Sequence, residues 1–157
     1  MPLIKTPVPN WVDEGSASWT AASGDKTVTL INPGKNIYMV VFTGVGNVGS
    51  SEVLRFNGDS GANYSYRNIS TTGVTNSTGQ TGIVLAPSVA GPISTVLYFS
   101  GVATNSTIGV GIVPGNLTTT DTLIIGGTWS SASNVTSVTI NASSTFTGKF
   151  HVYSLNI

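Results

Sequence analysis

Short stretches in which apolar and polar residues alternate recur along this chain, and turn-forming residues separate them roughly every ten residues. In residues 107–113, for example, Ile108, Val110 and Ile112 alternate with threonine and glycine, so that one face is apolar. Such a period of two is typical of a half-buried β-strand, because successive side chains of a strand point to opposite faces. The alternation therefore predicts an all-β protein.

The composition supports strands over helices. Glutamate, glutamine and lysine are scarce, whereas threonine, valine and isoleucine are plentiful. A length of 157 residues is that of one domain, large enough to bury a core without a metal or disulfide. Charged residues make up 8% of the chain, against about 25% in an average globular protein, and six basic residues balance six acidic ones. This neutrality argues against non-specific binding to nucleic acid or to an anionic membrane.

The predicted strands follow from this alternation and from the turns between them. They cover residues 18–22, 26–31, 37–43, 54–56, 63–67, 93–99, 107–113, 122–125, 135–140 and 145–155. Residues 23–25 are predicted as a turn, residues 71–82 as a loop, and Trp129 is placed in a loop. Residues 37–43 are apolar on both faces, which indicates a central strand or one between the core and a partner. We predict an antiparallel, jelly-roll-like β-sandwich of about nine or ten strands.

Residues 1–15 are predicted to form an extended N-terminal arm, and residues 16–157 the single sandwich domain. Three prolines within the first nine residues exclude a helix there. Ile4, Val8 and Trp11 give this arm more apolar surface than a solvated tail carries, so we predict that it lies on a neighbouring subunit. A disordered terminus is the alternative. The arm lacks the continuous apolar segment that a signal peptide requires. No stretch of the sequence is long and apolar enough to span a membrane as a helix.

One polar stretch, LRFNGDSGANYSYR at residues 54–67, concentrates a third of the chain's charges in or beside it. Asn57 and Gly58 form a strong turn signal, because both tolerate a positive φ. The stretch is predicted to be a β-hairpin whose connection, residues 57–62, is pinned by a polar clasp of Arg55, Asp59 and Arg67. Its structural residues are predicted to be Leu54, Arg55, Phe56, Asn57, Gly58, Asp59, Tyr64 and Arg67.

Several motifs resemble parts of chemical sites, and none is complete. Asn57, Asp59 and Asn63 are spaced as in a calcium loop, but the loop has one carboxylate and lacks the acid at its twelfth position. Glu52 with Asp59 is the one plausible glycosidase pair. His151, the single histidine, lacks the motif of a hydrolase nucleophile, and we expect it at a surface or interface. We therefore predict no catalytic, metal or cofactor site. Trp129 is kept as an aromatic residue for contact with a ligand or partner, with a core position as the alternative.

The stretch at residues 54–67 resembles one found in small structural proteins of tailed bacteriophages. The chain's end is also similar, with Gly127-Thr128-Trp129 and the closing segment 148–155. The resemblance implies a non-enzymatic β-sandwich component of the virion. A single domain with a short arm fits a capsid decoration, or cement, protein. It would be made in the host cytoplasm, bind the major capsid protein on the outside of the head, and form a homotrimer. The alternative is a tail or fibre module that binds a receptor or a glycan.

Overall fold

The computed structural model describes residues 10–47, 51–70, 73–86, 91–102, 106–113 and 123–156. These residues form ten β-strands, and every pairing between them is antiparallel. Within the described ranges, no helix is long and apolar enough to cross a membrane. The strands are β1 (Asn10–Thr29), β2 (Tyr38–Gly46), β3 (Glu52–Phe56), β4 (Tyr64–Ser70), β5 (Gly73–Gln80), β6 (Ile83–Ala86), β7 (Gly91–Phe99), β8 (Ser106–Val113), β9 (Leu123–Trp129) and β10 (Ser137–Asn156).

The last strand, β10, organises the sheet. One edge pairs with β1 along its length, and the other pairs with β2 through residues 146–154 and with β3 through residues 138–142. The strand order is β5-β4-β9-β8-β7-β2-β10-β3-β6, with β1 beside β10. The first and last strands are therefore neighbours, as in a jelly roll.

The strands face one another across a single core. Phe56 on β3 contacts Phe99 on β7 and Trp129 on β9, with ring centroids 4.8 and 5.6 Å apart, although β3 pairs with neither strand. Such contacts between strands that are not hydrogen-bonded define a sandwich. The predicted all-β antiparallel sandwich is confirmed. Every second side chain of the strands points inward, and these inward side chains form one buried cluster.

The predicted central position of residues 37–43 is confirmed. They lie largely in β2, between β10 and β7, and Tyr38, Val40 and Phe42 are fully buried. The outward residues Met39 and Val41 are also partly covered. On β10, Phe146, Phe150 and Val152 share the buried face.

The two long strands correct the predicted segmentation. Residues 18–22 and 26–31 were predicted as two strands with a turn at 23–25, but β1 continues through this region with register shifts on either side of Ala22. Ala21 and Gly24 have φ values of 47° and 92°, so the glycine and its neighbours form an irregularity within the strand and no chain reversal. Similarly, residues 135–140 and 145–155 fall mostly within the single strand β10.

Residues 10–15 belong to the sheet and not to the predicted arm. Strand β1 starts at Asn10, and its first residues pair with the end of β10. Trp11 is thus a sheet residue opposite Leu155, and its neighbours Asn10 and Val12 pair with β10 in the same register. Ile4 and Val8 lie outside the described residues.

Two further strands were missed. Residues 73–80 were predicted as part of a loop but form β5, and β6 was not predicted. Nearly all β5 side chains are exposed, so this strand has no apolar face by which alternation could reveal it. It is held by its backbone pairing with β4.

The predicted hairpin at residues 54–67 is wrong in its pairing. Strand β3 pairs with β10 and β6, whereas β4 pairs with β5 and β9, so the two strands are not hydrogen-bonded to each other. The connection is an arch that carries the chain across the core. Both strands bury one face, and burial against opposite parts of the core outweighs local pairing.

Candidate functional site

The turn between β3 and β4, residues 57–63 (the Asp59 turn), is built by its own side chains. Asn57 and Gly58 have φ values of 54° and 67°, which confirms the local turn signal. The N–H of Asp59 donates to the carbonyl of Phe56 at 2.9 Å. The Asp59 carboxylate accepts hydrogen bonds from the N–H of Gly61 at 2.8 Å and from the side-chain amide of Asn63 at 3.0 Å.

A third donor joins this carboxylate from β9. The indole N–H of Trp129 donates to Oδ2 of Asp59 at 2.7 Å. This bond is the main reason why the pKa of Asp59 lies below its ordinary value, and the bonds from Asn63 and Gly61 add to it against the opposing effect of burial. N–H donors therefore surround the carboxylate where the calcium interpretation would need a cation.

Trp129 is a core residue, which corrects its assignment as a ligand or interface aromatic. Only 2% of its surface is exposed, and its ring packs against Phe56 and Tyr64. A sugar cannot stack on a ring that protein atoms already cover. Its functional importance is the bond to Asp59, which anchors the turn to the core.

The arginines do not form the predicted clasp around the turn. Arg55 donates to the carbonyl of Thr81 at 3.0 Å and contacts Asp25 at 3.4 Å, so it ties β3 to the β5–β6 connection and to β1. Arg67 is exposed on β4. Phe56 and Tyr64 point inward to the core. Because side chains alternate along a strand, Arg55 and Arg67 point to the outward faces of β3 and β4. The clasp consists of Asp59, Asn63 and Trp129.

Tyr64 closes the arch from inside. Its buried hydroxyl accepts from the N–H of Phe56 at 2.8 Å and lies 3.2 Å from the carbonyl of Asp59, to which it can donate. Burial is the main cause that raises the pKa of Tyr64 to about 12, and the negative charge of Asp59 acts in the same direction. The hydroxyl is thus held neutral as a structural hydrogen-bonding group.

Asn57 links the turn to the segment before β10, a contact that the sequence did not predict. Its Oδ1 accepts from the N–H groups of Thr136 at 2.7 Å and Ser137 at 3.1 Å, and its amide donates to the carbonyl of Asn134 at 2.9 Å. These partners are about 80 positions away in the chain. Together with Trp129, they make the Asp59 turn a structural junction.

Glu14 is a second buried carboxylate that was assigned to the arm. It is 1% exposed and accepts from the N–H of Asn32 at 2.8 Å, from the Asn32 amide at 3.0 Å, and from the Ser154 hydroxyl. Burial would raise the pKa of Glu14, but the hydrogen bonds from Ser154 and Asn32 outweigh it, and the pKa is lowered. Glu14 therefore fastens the start of β1 to the end of β10.

A broad outward face of β1, β10, β2 and β7 carries apolar and aromatic side chains. Register partners share a face, so Tyr153, Met39 and Tyr98 form one row across three strands, and His151, Val41 and Val96 form the next. We call this surface the aromatic face: Trp11, Met39, Val41, Val96, Tyr98, His151, Tyr153 and Leu155.

Aromatic rings are exposed on this face. Trp11 and Tyr98 are 41% and 42% exposed, and their ring centroids are 6.1 Å apart. The His151 ring stacks on Tyr153 at 6.0 Å. His151 lies on the face opposite the buried Phe150 and Val152 and is partly exposed. The remaining members are partly buried.

The two acids weighed as a glycosidase pair lie at opposite ends of β3. Glu52 is buried at its start, whereas Asp59 follows its end. The four residue-to-residue steps from Glu52 to Phe56 span about 13 Å of extended chain. That separation exceeds the roughly 5 to 10 Å between paired glycosidase carboxylates, so the fold does not bring this pair together. In the described part of the chain, no group of three or more histidine, aspartate or glutamate side chains is placed to hold a metal ion.

Comparison with known proteins adds little about the function of these surfaces. No protein-family model and no curated protein matches the chain. Among solved structures, it is similar to the carbohydrate-binding module CBM66 from Bacillus subtilis, at 12% identity over 93% of this chain and 91% of that one, with a TM-score of 0.31. It is also similar to a prokaryotic β-1,3-1,4-glucanase (lichenase) derived from a mouse hindgut metagenome, at 11% identity over 82% and 70% of the two chains, with a TM-score of 0.25. Both scores are too low to support a functional argument.

Proposed function

We propose that this protein is a structural component of a tailed-bacteriophage virion, a decoration protein that binds the outside of the head through its aromatic face. The aromatic face is the observation that carries the proposal. It presents Trp11 and Tyr98 at a surface where four strands form a rigid platform. The resemblance of residues 54–67 to phage structural proteins supports the same assignment.

The chemistry of this face suits a protein partner. Aromatic residues and methionine are enriched in protein interfaces, and charged residues are depleted at their centres. Asp13, opposite Tyr153, is the charged residue of the row that crosses the face. A stable protein–protein interface buries about 1,200 to 2,000 Å² in total. The aromatic face would form the apolar centre of such an interface. The proposed partners are the major capsid protein and, in a homotrimer, further copies of this chain; no catalytic role is proposed.

Binding to decoration-free heads tests the proposal directly. We expect purified protein to saturate such heads, and Trp11→Ala and Tyr98→Ala each to weaken binding by about 10-fold or more, as central aromatic contacts do. Val74→Ala is the matched control, because Val74 is apolar, 51% exposed and on β5 at the far end of the strand order. The head assignment fails if the protein does not bind heads, or if immunogold labels the tail alone.

The arm and the oligomeric state need separate measurements. Deleting residues 1–9 leaves β1 complete, so the domain should keep its melting temperature while its attachment weakens; unchanged affinity would remove Ile4 and Val8 from the proposed contact. Sedimentation equilibrium tests the homotrimer, and a monomer at all concentrations and on the head would contradict it.

The second candidate is a tail or fibre module that binds a glycan receptor. The neighbouring rings of Trp11 and Tyr98 favour it, because exposed aromatic rings can stack on the apolar faces of sugars. Copy number separates the candidates: many copies for each particle support the head, and a few support the tail. Glycan-array binding that Trp11→Ala abolishes, while head binding is absent, would favour the tail module.

A further inference from the structure

A shallow groove lies on β4, β5 and β9, strands that take no part in the aromatic face. Its volume is about 440 Å³. Arg67 is one of the residues that line it, and we call it the Arg67 groove; the other polar lining residues are Ser65, Asn76, Ser77, Thr78 and Thr128. This size falls within the range of pockets that hold small molecules.

Strand register explains why the groove exists. Arg67 on β4 is opposite Gly126 on β9 and Asn76 on β5, so the three positions form one row across the sheet. Gly126 has no side chain, and a Cβ built there would meet no atom within 4 Å. The missing side chain therefore leaves open space on β9 at the position opposite Arg67.

Arg67 supplies the groove's charge. The described residues contain one ion pair, Arg55 with Asp25, which leaves Arg67 without a carboxylate partner among them. Its planar guanidinium can donate two parallel hydrogen bonds to a carboxylate. The surrounding hydroxyl and amide groups both donate and accept, which suits a ligand that carries several hydroxyls.

An apolar row borders the groove. Ile69 is opposite Ile124 and Val74, and all three side chains are between 38% and 51% exposed. They lie two positions along each strand from the Arg67 row and on the same face, because side chains alternate with a period of two. A ligand that has a polar edge and an apolar C–H face could contact both rows.

We propose that the Arg67 groove binds an acidic saccharide unit, a hydroxylated ring that carries one carboxylate. A single guanidinium balances one negative charge, whereas a phosphate dianion calls for more than one cation. The carboxylate pairs with Arg67, the ring hydroxyls exchange hydrogen bonds with the groove's side chains, and the C–H face lies against the apolar row. The proposal is independent of capsid attachment, because it uses a different set of strands.

Titration with sodium D-glucuronate, followed by ¹⁵N NMR of the full chain, tests this site. We expect saturable shifts confined to the groove's lining and a dissociation constant on the order of 1 mM for so small a ligand. D-Glucose should bind at least 10-fold more weakly because it lacks the carboxylate, and inorganic phosphate should bind more weakly than glucuronate.

Two variants and a control locate the binding. Arg67→Gln removes the charge from an exposed position, and Gly126→Val fills the open space; each should weaken glucuronate binding at least 10-fold at an unchanged melting temperature. Lys149→Gln removes an exposed charge on β10 and should keep the affinity within 2-fold. If Gly126→Val destabilises the fold, Arg67→Gln together with the three-ligand comparison decides the question.

Any of three results would overturn the proposal. Equal binding of glucose would exclude the carboxylate as the recognised group, and phosphate binding as tight as glucuronate would reduce the site to a general anion contact. Absence of shifts in the groove up to 50-fold above the expected dissociation constant would exclude the site itself. None of these results bears on head binding, which is measured on particles.

Discussion

The indole N–H of Trp129, at the end of β9, donates a 2.7 Å hydrogen bond to the Asp59 carboxylate in the turn after β3. The two residues are 70 positions apart in the chain. The bond connects an exposed turn to the core, because the Trp129 ring is itself packed against Phe56 and Tyr64.

Asp59→Ala should lower the free energy of unfolding by about 2 to 3 kcal/mol, measured by chemical denaturation at pH 7. The substitution leaves the indole N–H of Trp129 without its acceptor and removes the bonds from Gly61 and Asn63. Asp59→Asn keeps one acceptor oxygen and should cost less. An unchanged unfolding curve for Asp59→Ala would contradict the structural role of the turn.

Acid should destabilise the fold through Asp59 and Glu14. The pKa of each is lowered in the folded state, from ordinary values of 3.8 and 4.5, so the unfolded chain binds protons more readily. Their stabilisation is fully present above about pH 5 and is lost as the pH falls through the folded-state pKa values.

The separate variants Glu14→Gln and Asp59→Asn isolate the contribution of each carboxylate to this loss of stability in acid. Each variant should be less stable than the parent chain at pH 7. Between pH 6 and pH 3, each variant should lose less free energy of unfolding than the parent chain does. Denaturation midpoints at a series of pH values measure this slope, and parallel curves for parent and variants would rule out both carboxylates as its source.

Alkali should act through Tyr64. Its pKa is raised to about 12, so the neutral hydroxyl favours the folded state. This contribution is complete below pH 10, the ordinary value, and decreases as the pH rises through about 12; a shift of two units corresponds to about 3 kcal/mol. Tyr64→Phe should therefore be less stable at pH 7 and show a smaller loss between pH 9 and pH 12. Fluorescence-monitored unfolding would measure both, and Tyr153→Phe on the aromatic face is the matched control.

Asn57 combines a backbone and a side-chain requirement that two variants separate. Asn57→Gly keeps the positive φ but loses the bonds to Thr136, Ser137 and Asn134, whereas Asn57→Ala loses both. We expect a loss of about 1 to 2 kcal/mol for glycine and about 1 kcal/mol more for alanine. Equal stability of the two variants would show that the backbone conformation contributes nothing.

Alanine substitutions at Gly148 and Gly126, which lie in different strands, should change the stability of the protein by very different amounts. A Cβ at Gly148 would clash with the backbone carbonyl of Thr43, and only movement of β10 or β2 could relieve this clash. Gly148→Ala should therefore destabilise the protein by several kcal/mol. Gly126→Ala, at an open strand position, should change stability by no more than about 0.5 kcal/mol. Thermal melting of both variants tests the comparison.

The sequence alone determined the features that depend on neighbouring residues. Period-two alternation identified β8, and a run of residues apolar on both faces identified β2 as a central strand, because a strand's two faces are set by consecutive side chains. Asn57 and Gly58 predicted their own turn, because positive φ is a local property. The same local logic failed for β5, whose side chains lack an apolar face.

The tertiary structure decided everything that depends on which distant segments meet. The chain after the Asp59 turn could have paired back on β3 as a hairpin; instead, β4 joins β9 and β5, because both strands then bury their apolar faces on opposite sides of one core. Trp129 is an ordinary aromatic residue in the sequence and becomes the anchor of Asp59 only through that arrangement. Likewise, the aromatic face and the Arg67 groove exist only where register places residues from three or four strands side by side, since no single strand contains either surface.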